Sequence, residues 1–434
     1  METVDIISLG CSKNLVDSEA LMAQLKAAGM EVHHDPKRPT GKIVVINTCG
    51  FIGDAKEESI DTILQFAEAK KRGRVKRLLV MGCLSQRYAP ELREALPEVD
   101  KFYGKFKWQD IITDLGHNFR RDLVTERSLT TPKHYAYLKI SEGCNRFCSY
   151  CAIPLITGRH TSRPVEELVE EATKLRDKGV RELQIIAQDL SSYGLDLYKE
   201  SKLAELTDRL SEIEGIEWIR LHYAYPADFP MDILQKIASN PKVCLYLDLA
   251  LQHISDNMLS IMRRHITKEQ TLNLLKTIRE QVPGIHIRTT LITGHPGETE
   301  EDFAELVEFV KEARFERLGV FPYSHEEDTY SYKHYEDNIP DEVKQARADE
   351  IMAIQTEISH EIQASKIGSV LKVIVDRKEG DNFIARTEFD SPEVDPEVII
   401  PATPENKKLI KVGHFAQVRI TDAEDYDLFA EPVC

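Results

Sequence analysis

The stretch "SEGCNRFCSYCAIP" (residues 141–154) places three cysteines in a CxxxCxxC spacing directly after the apolar run "YAYLKI". These are Cys144, Cys148 and Cys151, which we call the loop trio. Three thiolates in one short loop can hold three irons of an iron–sulfur cube and leave the fourth iron without a protein ligand. Structural zinc is the alternative, but zinc usually takes four protein ligands, so it would need His160 as well. The spacing therefore favours an open iron–sulfur cluster at the end of a strand.

Five further strand-like runs follow this loop, and helical patterns separate them. The runs are "ELQIIA", "WIRLHY", "CLYLDLAL", "IHIRTTLI" and "RLGVFPY". Alternating strands and helices predict a parallel sheet. Six such units over residues 134–365 predict a closed or partial (β/α)6 barrel. The active sites of barrels of this kind lie on the loops at the carboxyl ends of the strands, which is where the loop trio falls.

Residues 1–130 also alternate apolar strands with helical patterns and predict a small parallel α/β domain. Three of its strand runs end on a cysteine: "VDIISLGCSKN" on Cys11, "GKIVVINTCGFIG" on Cys49 and "KRLLVMGCLSQ" on Cys83. The carboxyl ends of parallel strands share one edge of the sheet, where ligands bind. We therefore expect these three thiols, the strand-end trio, to gather there and hold a second metal centre, although each alone could be a buried packing residue.

The last block, residues 366–434, alternates short apolar runs with turn residues and predicts a small all-β barrel. It carries nine Lys and Arg against 14 Asp and Glu, a net charge of -5. The whole chain has a net charge of -17. An acidic surface attracts a basic partner and repels phosphate, although acids on a solvated face would give the same count. We expect the stretch "SPEVDPEVIIP", with Glu393, Asp395 and Glu397, to contribute to such docking.

Length and composition set the class of protein. A chain of 434 residues with 42% hydrophobic and 30% charged residues predicts a globular protein of two or three domains. The sequence shows no signal peptide and no run of about 18 apolar residues, so we expect a cytoplasmic protein without a membrane partner. Eight cysteines in that compartment are more often metal ligands than disulfides. Cys244 and Cys434 are expected to have no role in the site.

Long motifs in all three blocks are similar to those of the radical S-adenosylmethionine (SAM) methylthiotransferases. The similar stretches are "SLGCSKNLVDSE", "INTCGFI", "GCLSQRY", "SEGCNRFCSYCAIP", "AQDLSSYG", "LQHISDNMLSIMRR" and "GHPGETEEDF". The first of these and "RTEFDSPEVDPEVIIP" resemble the branch of the family that modifies an aspartate of ribosomal protein S12. The resemblance implies an N-terminal methylthiotransferase domain, a partial radical SAM barrel and a C-terminal domain of the TRAM type that binds substrate.

The resemblance also implies the cofactors and the reaction. Each cysteine trio would hold a 4Fe-4S cluster. The cluster on the loop trio would cleave one SAM to a radical, the cluster on the strand-end trio would carry or donate sulfur, and a second SAM would supply the methyl group. The product would be an S12 aspartate with a methylthio group on its β-carbon. The implied partners are S12, free or within the small ribosomal subunit, and an electron donor; nucleic acid is not expected as the main substrate.

Four side chains are expected near SAM. Tyr150 lies between two cysteines of the loop trio, like the aromatic residue that contacts adenine in the family. Gln188 and Gln252 end barrel strands, and Arg288 lies inside "IHIRTTLI", where an inward-pointing arginine needs an anion such as the SAM carboxylate. Packing of Tyr150, loop hydrogen bonds of the glutamines and an internal ion pair of Arg288 are the structural alternatives. His295 is expected on a surface loop, with proton relay as the alternative, and no catalytic side chain is predicted beyond the cluster ligands.

Two other functions fit parts of this pattern. A transfer RNA adenosine methylthiotransferase would use the same cofactors, and a non-catalytic iron–sulfur or zinc protein that binds ribosomes would use the cysteines only structurally. A radical apparatus suits a substrate carbon–hydrogen bond that no side-chain base can break. Formation of 5'-deoxyadenosine from SAM after reduction would separate an enzyme from a binding protein.

Overall fold

The structure is a computed structural model that describes residues 2–433. The strands of its first sheet are β1 Thr3–Ser8, β2 Glu31–His34, β3 Ile43–Thr48, β4 Arg77–Gly82 and β5 Lys101–Phe102. The helices of this unit are α1 Ser12–Ala27, α2 Gly53–Lys71, α3 Cys83–Ala95 and α4 Trp108–Asp114. All strands run parallel in the order β2-β1-β3-β4-β5. The predicted parallel α/β domain is confirmed.

Helices cover both faces of this sheet because its central strands are apolar at successive positions. Neighbouring residues of a strand point to opposite faces. Val45 of β3 therefore packs with Leu21 and Leu25 of α1, whereas Val44 packs with Ile63 of α2 on the other face. With both faces buried, a ligand has access mainly to the edge at the carboxyl ends of the strands.

The second unit is a six-stranded parallel sheet that forms a partial barrel, as predicted. Its strands are β6 Tyr135–Lys139, β9 Glu182–Ile186, β10 Trp218–Ala224, β11 Val243–Leu249, β12 His286–Thr293 and β13 Arg317–Pro322, and a two-stranded ribbon, β7 Ser141–Glu142 with β8 Thr161–Ser162, lies beside it. The strand order is β13-β12-β11-β10-β9-β6. The helices are α5 Ile153–Thr157, α6 Val165–Asp177, α7 Leu203–Ser211, α8 Asp232–Ser239, α9 Asp256–Ile261, α10 Lys268–Gln281, α11 Glu300–Ala313, α12 Tyr330–His334 and α13 Asp341–Ala364.

The third unit is the predicted small all-β barrel, and it is closed. Its elements are β14 Val370–Glu379, β15 Asn382–Thr387, β16 Val398–Pro401, α14 Asn406–Leu409, β17 Phe415–Ala423 and β18 Leu428–Pro432. The strands follow the order β14-β15-β16-β18-β17, and within the described residues of this barrel only β16 and β18 pair in parallel. Three short 3-10 helices, Lys105–Lys107, Arg121–Leu123 and Leu190–Ser192, complete the regular structure.

The loop between β15 and β16 contacts the amino end of the central barrel, which corrects one expectation. The Glu393 carboxylate accepts hydrogen bonds from the hydroxyls of Tyr135 (3.0 Å) and Tyr137 (3.3 Å). Asp395 lies 3.3 Å from the guanidinium of Arg288, and its side chain is only 3% exposed. Glu397 pairs with Arg377 within the tail. Asp395 is therefore not a free surface charge, whereas Glu393 and Glu397 keep some exposure but already have partners inside the chain.

The segment between the first two units is fastened to both. Arg127 is buried and forms ion pairs with Glu19 of α1 and Glu171 of α6, the second at 2.8 Å. It also donates a hydrogen bond to the Tyr137 carbonyl. Because buried charges need partners, this arginine fixes the first sheet against the barrel. The boundaries at 130, 134 and 366 stay predictions.

Two further findings concern the whole described chain. No helix within residues 2–433 combines the length and hydropathy needed to cross a bilayer. The seven cysteines in this range are free thiols, and Cys244 is buried beside Trp218 and Tyr246 in the core. Cys434 lies outside the described residues.

Candidate active site

The strand-end trio gathers at one edge of the first sheet. Cys11 precedes α1, Cys49 follows β3, and Cys83 is the first residue of α3. Burial, together with the neighbouring thiols, raises the pKa of Cys83 to about 12, and burial likewise raises the pKa of Cys49. Cys11 is the most exposed residue of the three. Partial removal of its thiol from water opposes ionisation, but the ammonium groups of Lys13 and Lys105 and two backbone N–H groups outweigh this effect, so the pKa of Cys11 is lowered.

Glycines allow the three cysteine segments to pack against one another. Gly10 has a left-handed φ of +86°, and a Cβ atom there would lie 2.7 Å from the Cβ of Cys49. A Cβ atom on Gly50 would lie 2.6 Å from the Cα of Leu84, next to Cys83. Any larger residue would force the segments apart, so these glycines set the spacing of the trio.

The loop trio follows β7 and precedes α5, at the carboxyl end of the barrel. The backbone N–H of Arg146 points to the Cys144 sulfur at 3.5 Å, and the Arg264 guanidinium lies 3.2 Å from the Cys148 sulfur. Burial raises the pKa of Cys144 to about 12 and raises that of Cys151 as well. These thiols therefore need a strong positive partner, such as a metal centre, to become thiolates.

The arrangement fits a cube better than one zinc ion. Among residues 2–433, no three side chains of the types His, Cys, Asp and Glu converge on one ion position. In a cube each thiolate binds its own iron, so the three sulfurs do not have to converge. His160, which zinc would need, points its Nε2 to the Ser162 hydroxyl at 3.1 Å.

The two trios lie against each other across the boundary between the first sheet and the barrel. Cys83 packs with Ala152 and Ile156, which directly follow the loop trio. The Cys83 thiol also points to the side-chain oxygen of Asn14 at 3.6 Å, and that oxygen lies 3.4 Å from the Lys105 ammonium. Two centres held by these trios would therefore lie on the two sides of this boundary, which we call the cleft.

A buried network of charges continues from Lys105 to the loop trio. Lys105 pairs with Asp17 at 3.0 Å, and Lys139 pairs with both Asp17 and Glu142. Glu142 lies two residues before the loop trio. Burial would raise its pKa, but the two lysines lower it to about 2. Because an unpaired buried charge is costly, this network fixes the orientation of one trio relative to the other.

The structure places the expected SAM contacts at different distances from the loop trio. Tyr150 packs beside Cys148, and its hydroxyl accepts a hydrogen bond from Arg264 (3.2 Å). Gln188 donates to Glu142 at 2.7 Å, and its buried Oε1 has no partner among the described residues. Both positions are compatible with a ligand at the loop trio, and their contact with SAM stays a prediction.

The other two expected contacts are less direct. The backbone of Gln252 is strained at a φ of +73° and bridges to Leu291 at the end of β12. Arg288 lies 3.5 Å from Asp248 and also pairs with Asp395 of the tail. The chain thus supplies the anion that Arg288 needs, so the reason for expecting the SAM carboxylate there is removed.

One residue, His295, lies elsewhere than expected, and two others, Arg264 and Lys13, were not expected at the site. His295 is fully buried, not on a surface loop: its Nε2 lies 2.8 Å from the Ser331 hydroxyl, and burial lowers its pKa to about 4. Arg264 belongs to the quoted "LQHISDNMLSIMRR" motif, but the sequence did not show that it contacts Cys148. Lys13 follows Cys11 closely in "CSKN", yet nothing in the sequence places it against the barrel.

Comparisons with known proteins agree with this architecture. The sequence model of the radical SAM superfamily matches residues 138–310, that of "Uncharacterized protein family UPF0004" matches residues 3–104, and that of the TRAM domain matches residues 367–433. In solved structures, the radical SAM methyltransferase TsrM from Kitasatospora setae has a TM-score of 0.55 at 15% identity, covering 74% of this chain and 73% of that one. The cobalamin-dependent radical enzyme OxsB gives a TM-score of 0.52 at 14% identity, covering 81% and 56%. These two likenesses support the fold.

Curated relatives are much more similar and cover nearly whole chains. A protein of Bacteroides thetaiotaomicron is 62% identical, covering 99% of this chain and 98% of its own. Proteins of Porphyromonas gingivalis and Flavobacterium johnsoniae are 59% and 54% identical, covering 99% of this chain and 99% and 98% of theirs. All three are named ribosomal protein uS12 methylthiotransferase RimO.

The fold and the cysteine loop at the carboxyl end of its barrel define a radical SAM enzyme, a class that uses SAM and an iron–sulfur cluster. The N-terminal sheet and the C-terminal TRAM barrel narrow this class to the methylthiotransferases, which are transferases. The chain belongs to the RimO family of ribosomal protein uS12 methylthiotransferases. The predicted family and the predicted order of three units are therefore confirmed.

Proposed function

We propose that this protein adds a methylthio group to the β-carbon of an aspartate in ribosomal protein S12 (uS12). The observation that carries the proposal is the contact between the two trios: Cys83 of one packs on the residues that follow the other. A substrate carbon in the shared cleft would be next to both. The names of relatives that are 54 to 62% identical over nearly the full chain support S12 as the substrate.

The cofactors of this proposal are two 4Fe-4S clusters and SAM. The ligands would be Cys11, Cys49 and Cys83 for one cluster and Cys144, Cys148 and Cys151 for the other. When bound, the loop cluster and SAM supply radical abstraction of a hydrogen atom, and the other cluster supplies a site for sulfur. Three protein ligands leave one iron of each cluster open to a non-protein group. An external electron donor is needed as well.

The chain's own residues would hold the trios ready for these clusters. Arg264 is buried and donates toward the Cys148 sulfur, so it would stabilise the negative charge of a metal-bound sulfur at this position. Lys105 acts in the same sense on Cys11 and Cys83. The network of Asp17, Lys139 and Glu142 keeps the first sheet closed on the barrel and limits the access of water to the cleft.

The experiment is a comparison of two candidate substrates. Anaerobically reconstituted protein is incubated with SAM, a reductant and sulfide, together with S12, with small ribosomal subunits or with transfer RNA. Mass spectrometry should find the gain of one CH2S unit, hydrogen replaced by SCH3, on an S12 aspartate. The same gain on a transfer RNA adenosine, with S12 unchanged in both forms, would refute the proposed substrate. We expect the reaction to take place in the cytoplasm, where thiols stay reduced.

A further inference from the structure

Lys13 is a cation without an acidic partner at the boundary between the two trios. Its ammonium lies 3.6 Å from the ring centroid of Tyr223, and no carboxylate of the described residues lies within 4.0 Å of it. The neighbouring cations differ, because Lys105, Lys139 and Arg146 each form ion pairs with carboxylates. Arg264 has no carboxylate partner either, but it already donates to the Cys148 sulfur and the Ala250 carbonyl. Lys13 is therefore a cation at this cleft that is left able to bind an external anion.

Its position brings it close to the strand-end trio. Lys13 lies in the first turn of α1, two residues after Cys11, which directly precedes that helix. Tyr223 approaches from the opposite side, near the carboxyl end of β10 in the barrel. The contact between them thus joins α1 of the first unit to β10 of the barrel.

Tyr223 is held in a conformation that presents its ring. Its φ of +63° is unusual for a residue with a side chain, and its backbone N–H is directed at Asp248 at 3.3 Å. The residue is 37% exposed. Strained conformations of this kind are maintained where the surrounding structure imposes them and are concentrated at functional sites. The ring covers one side of the ammonium, and an ammonium has three donors, so N–H groups remain for another ligand.

We propose that Lys13 binds the carboxylate of the substrate aspartate and selects aspartate as the residue to be modified. The inference rests on the proposed function and deepens it. A carboxylate that leaves water needs a cationic partner. In aspartate the β-carbon is bonded directly to the carboxylate carbon, so anchoring the carboxylate fixes the reacting carbon beside Cys11. Lys13 forms no covalent bond and transfers no proton; it is a specificity-determining residue.

The test measures binding rather than turnover. The modified aspartate of S12 is first identified by mass spectrometry. Reconstituted wild-type protein and its Lys13→Met variant are then titrated with two ligands: S12, and S12 in which that aspartate is replaced by asparagine. Wild type should prefer aspartate about 10- to 100-fold, the range expected for a hydrogen-bonded charge pair. Lys13→Met should lose that preference, and Lys13→Arg should keep most of it. Lys26→Met, on the exposed end of the same helix, is the matched control and should behave as wild type.

A preference for aspartate that persists in Lys13→Met at the wild-type ratio would overturn the proposal. Iron content and circular dichroism must match wild type, because Lys13 lies near Cys11. If Lys13→Met loses iron, Tyr223→Leu provides the second test: loss of the ring should reduce the preference several-fold, and an unchanged preference counts against the proposal. Failure of wild type to modify S12 would instead refute the proposed function, so the two failures can be told apart.

Discussion

The two cysteine trios are brought together by different means. The loop trio lies within residues 144–151, so its spacing is fixed by a short segment of chain. The strand-end trio spans residues 11–83, and it forms only because β1, β3 and β4 lie side by side. The loop trio therefore depends on local sequence, whereas the strand-end trio depends on a correctly folded sheet.

The trios also differ in their charge environment. Lys13 and Lys105 lower the pKa of Cys11, which is exposed, whereas burial raises the pKa of the less exposed Cys144 to about 12. An exposed thiol with a lowered pKa is the more reactive kind. Cys11 is therefore expected to be the reactive thiol of the strand-end trio, because burial raises the pKa of its partners Cys49 and Cys83.

The largest expected effect separates the roles of the trios. Cys148→Ala should reduce both SAM cleavage and methylthiolation to background, because the loop cluster would lose a ligand. Cys49→Ala should abolish methylthiolation but retain SAM cleavage, measured as 5'-deoxyadenosine by chromatography. Cys244→Ala, in the core outside both trios, is the control and should keep both activities. Full methylthiolation by Cys49→Ala, with iron analysis confirming the lost cluster, would refute the division of roles.

A second prediction concerns the fold on which the strand-end trio depends. Arg127→Met leaves Glu19 and Glu171 buried without their shared cation, which should lower the free energy of unfolding by about 3 to 5 kcal/mol. Urea denaturation of the iron-free protein measures it. Arg120→Met removes an exposed ion pair with Asp122 and should leave the midpoint unchanged. Equal midpoints for the two variants would show that Arg127 does not fasten the sheet to the barrel.

The third prediction is the rate of thiol labelling in iron-free protein. At pH 8 a thiol of pKa about 12 is about one part in ten thousand thiolate, which applies to Cys144. Cys11 has a lowered pKa, so its thiolate fraction is higher, and iodoacetamide should modify it first. Raising the pH should narrow the difference, and Lys13→Met should slow the labelling of Cys11. Peptide mass spectrometry that finds Cys144 labelled before Cys11 would contradict the assigned charge environments.

The smallest effect is expected from the tail, far from both trios. Replacing Glu424 and Glu431, which are exposed, with lysine should weaken S12 binding by a few-fold at low salt, and the loss should shrink as salt screens exposed charges. The iron content of both trios should stay the same. Glu393→Lys should instead lower stability, because it breaks contacts with Tyr135 and Tyr137. Salt-independent S12 binding would rule out charge attraction by the tail.

Much of the fold could be predicted from the sequence because its signals are local. Apolar runs such as "GKIVVINTCGFIG" and "YAYLKI" became strands, and the cysteines that end three such runs lie at strand ends. The CxxxCxxC spacing is itself a local feature. Parallel topology then follows from the alternation of strands and helices.

The pairing of charges could not be predicted in this way. Arg288 with Asp395, Arg264 with Cys148 and Lys13 with Tyr223 all join residues that are distant in sequence. A sequence shows that an acid or a base is present, but not whether the fold has already given it a partner. That is why the acids of the β15–β16 loop were expected to be free.

The most direct test is the metal content of three proteins prepared without oxygen. They are wild type, a variant with alanine at all three positions of the loop trio, and a variant with alanine at all three positions of the strand-end trio. Iron and sulfide analysis with Mössbauer spectroscopy should find about eight irons in wild type and about four in each variant, as two independent 4Fe-4S clusters require. Zinc in place of iron, or the loss of all iron from either variant, would contradict the claim that two trios hold two separate clusters.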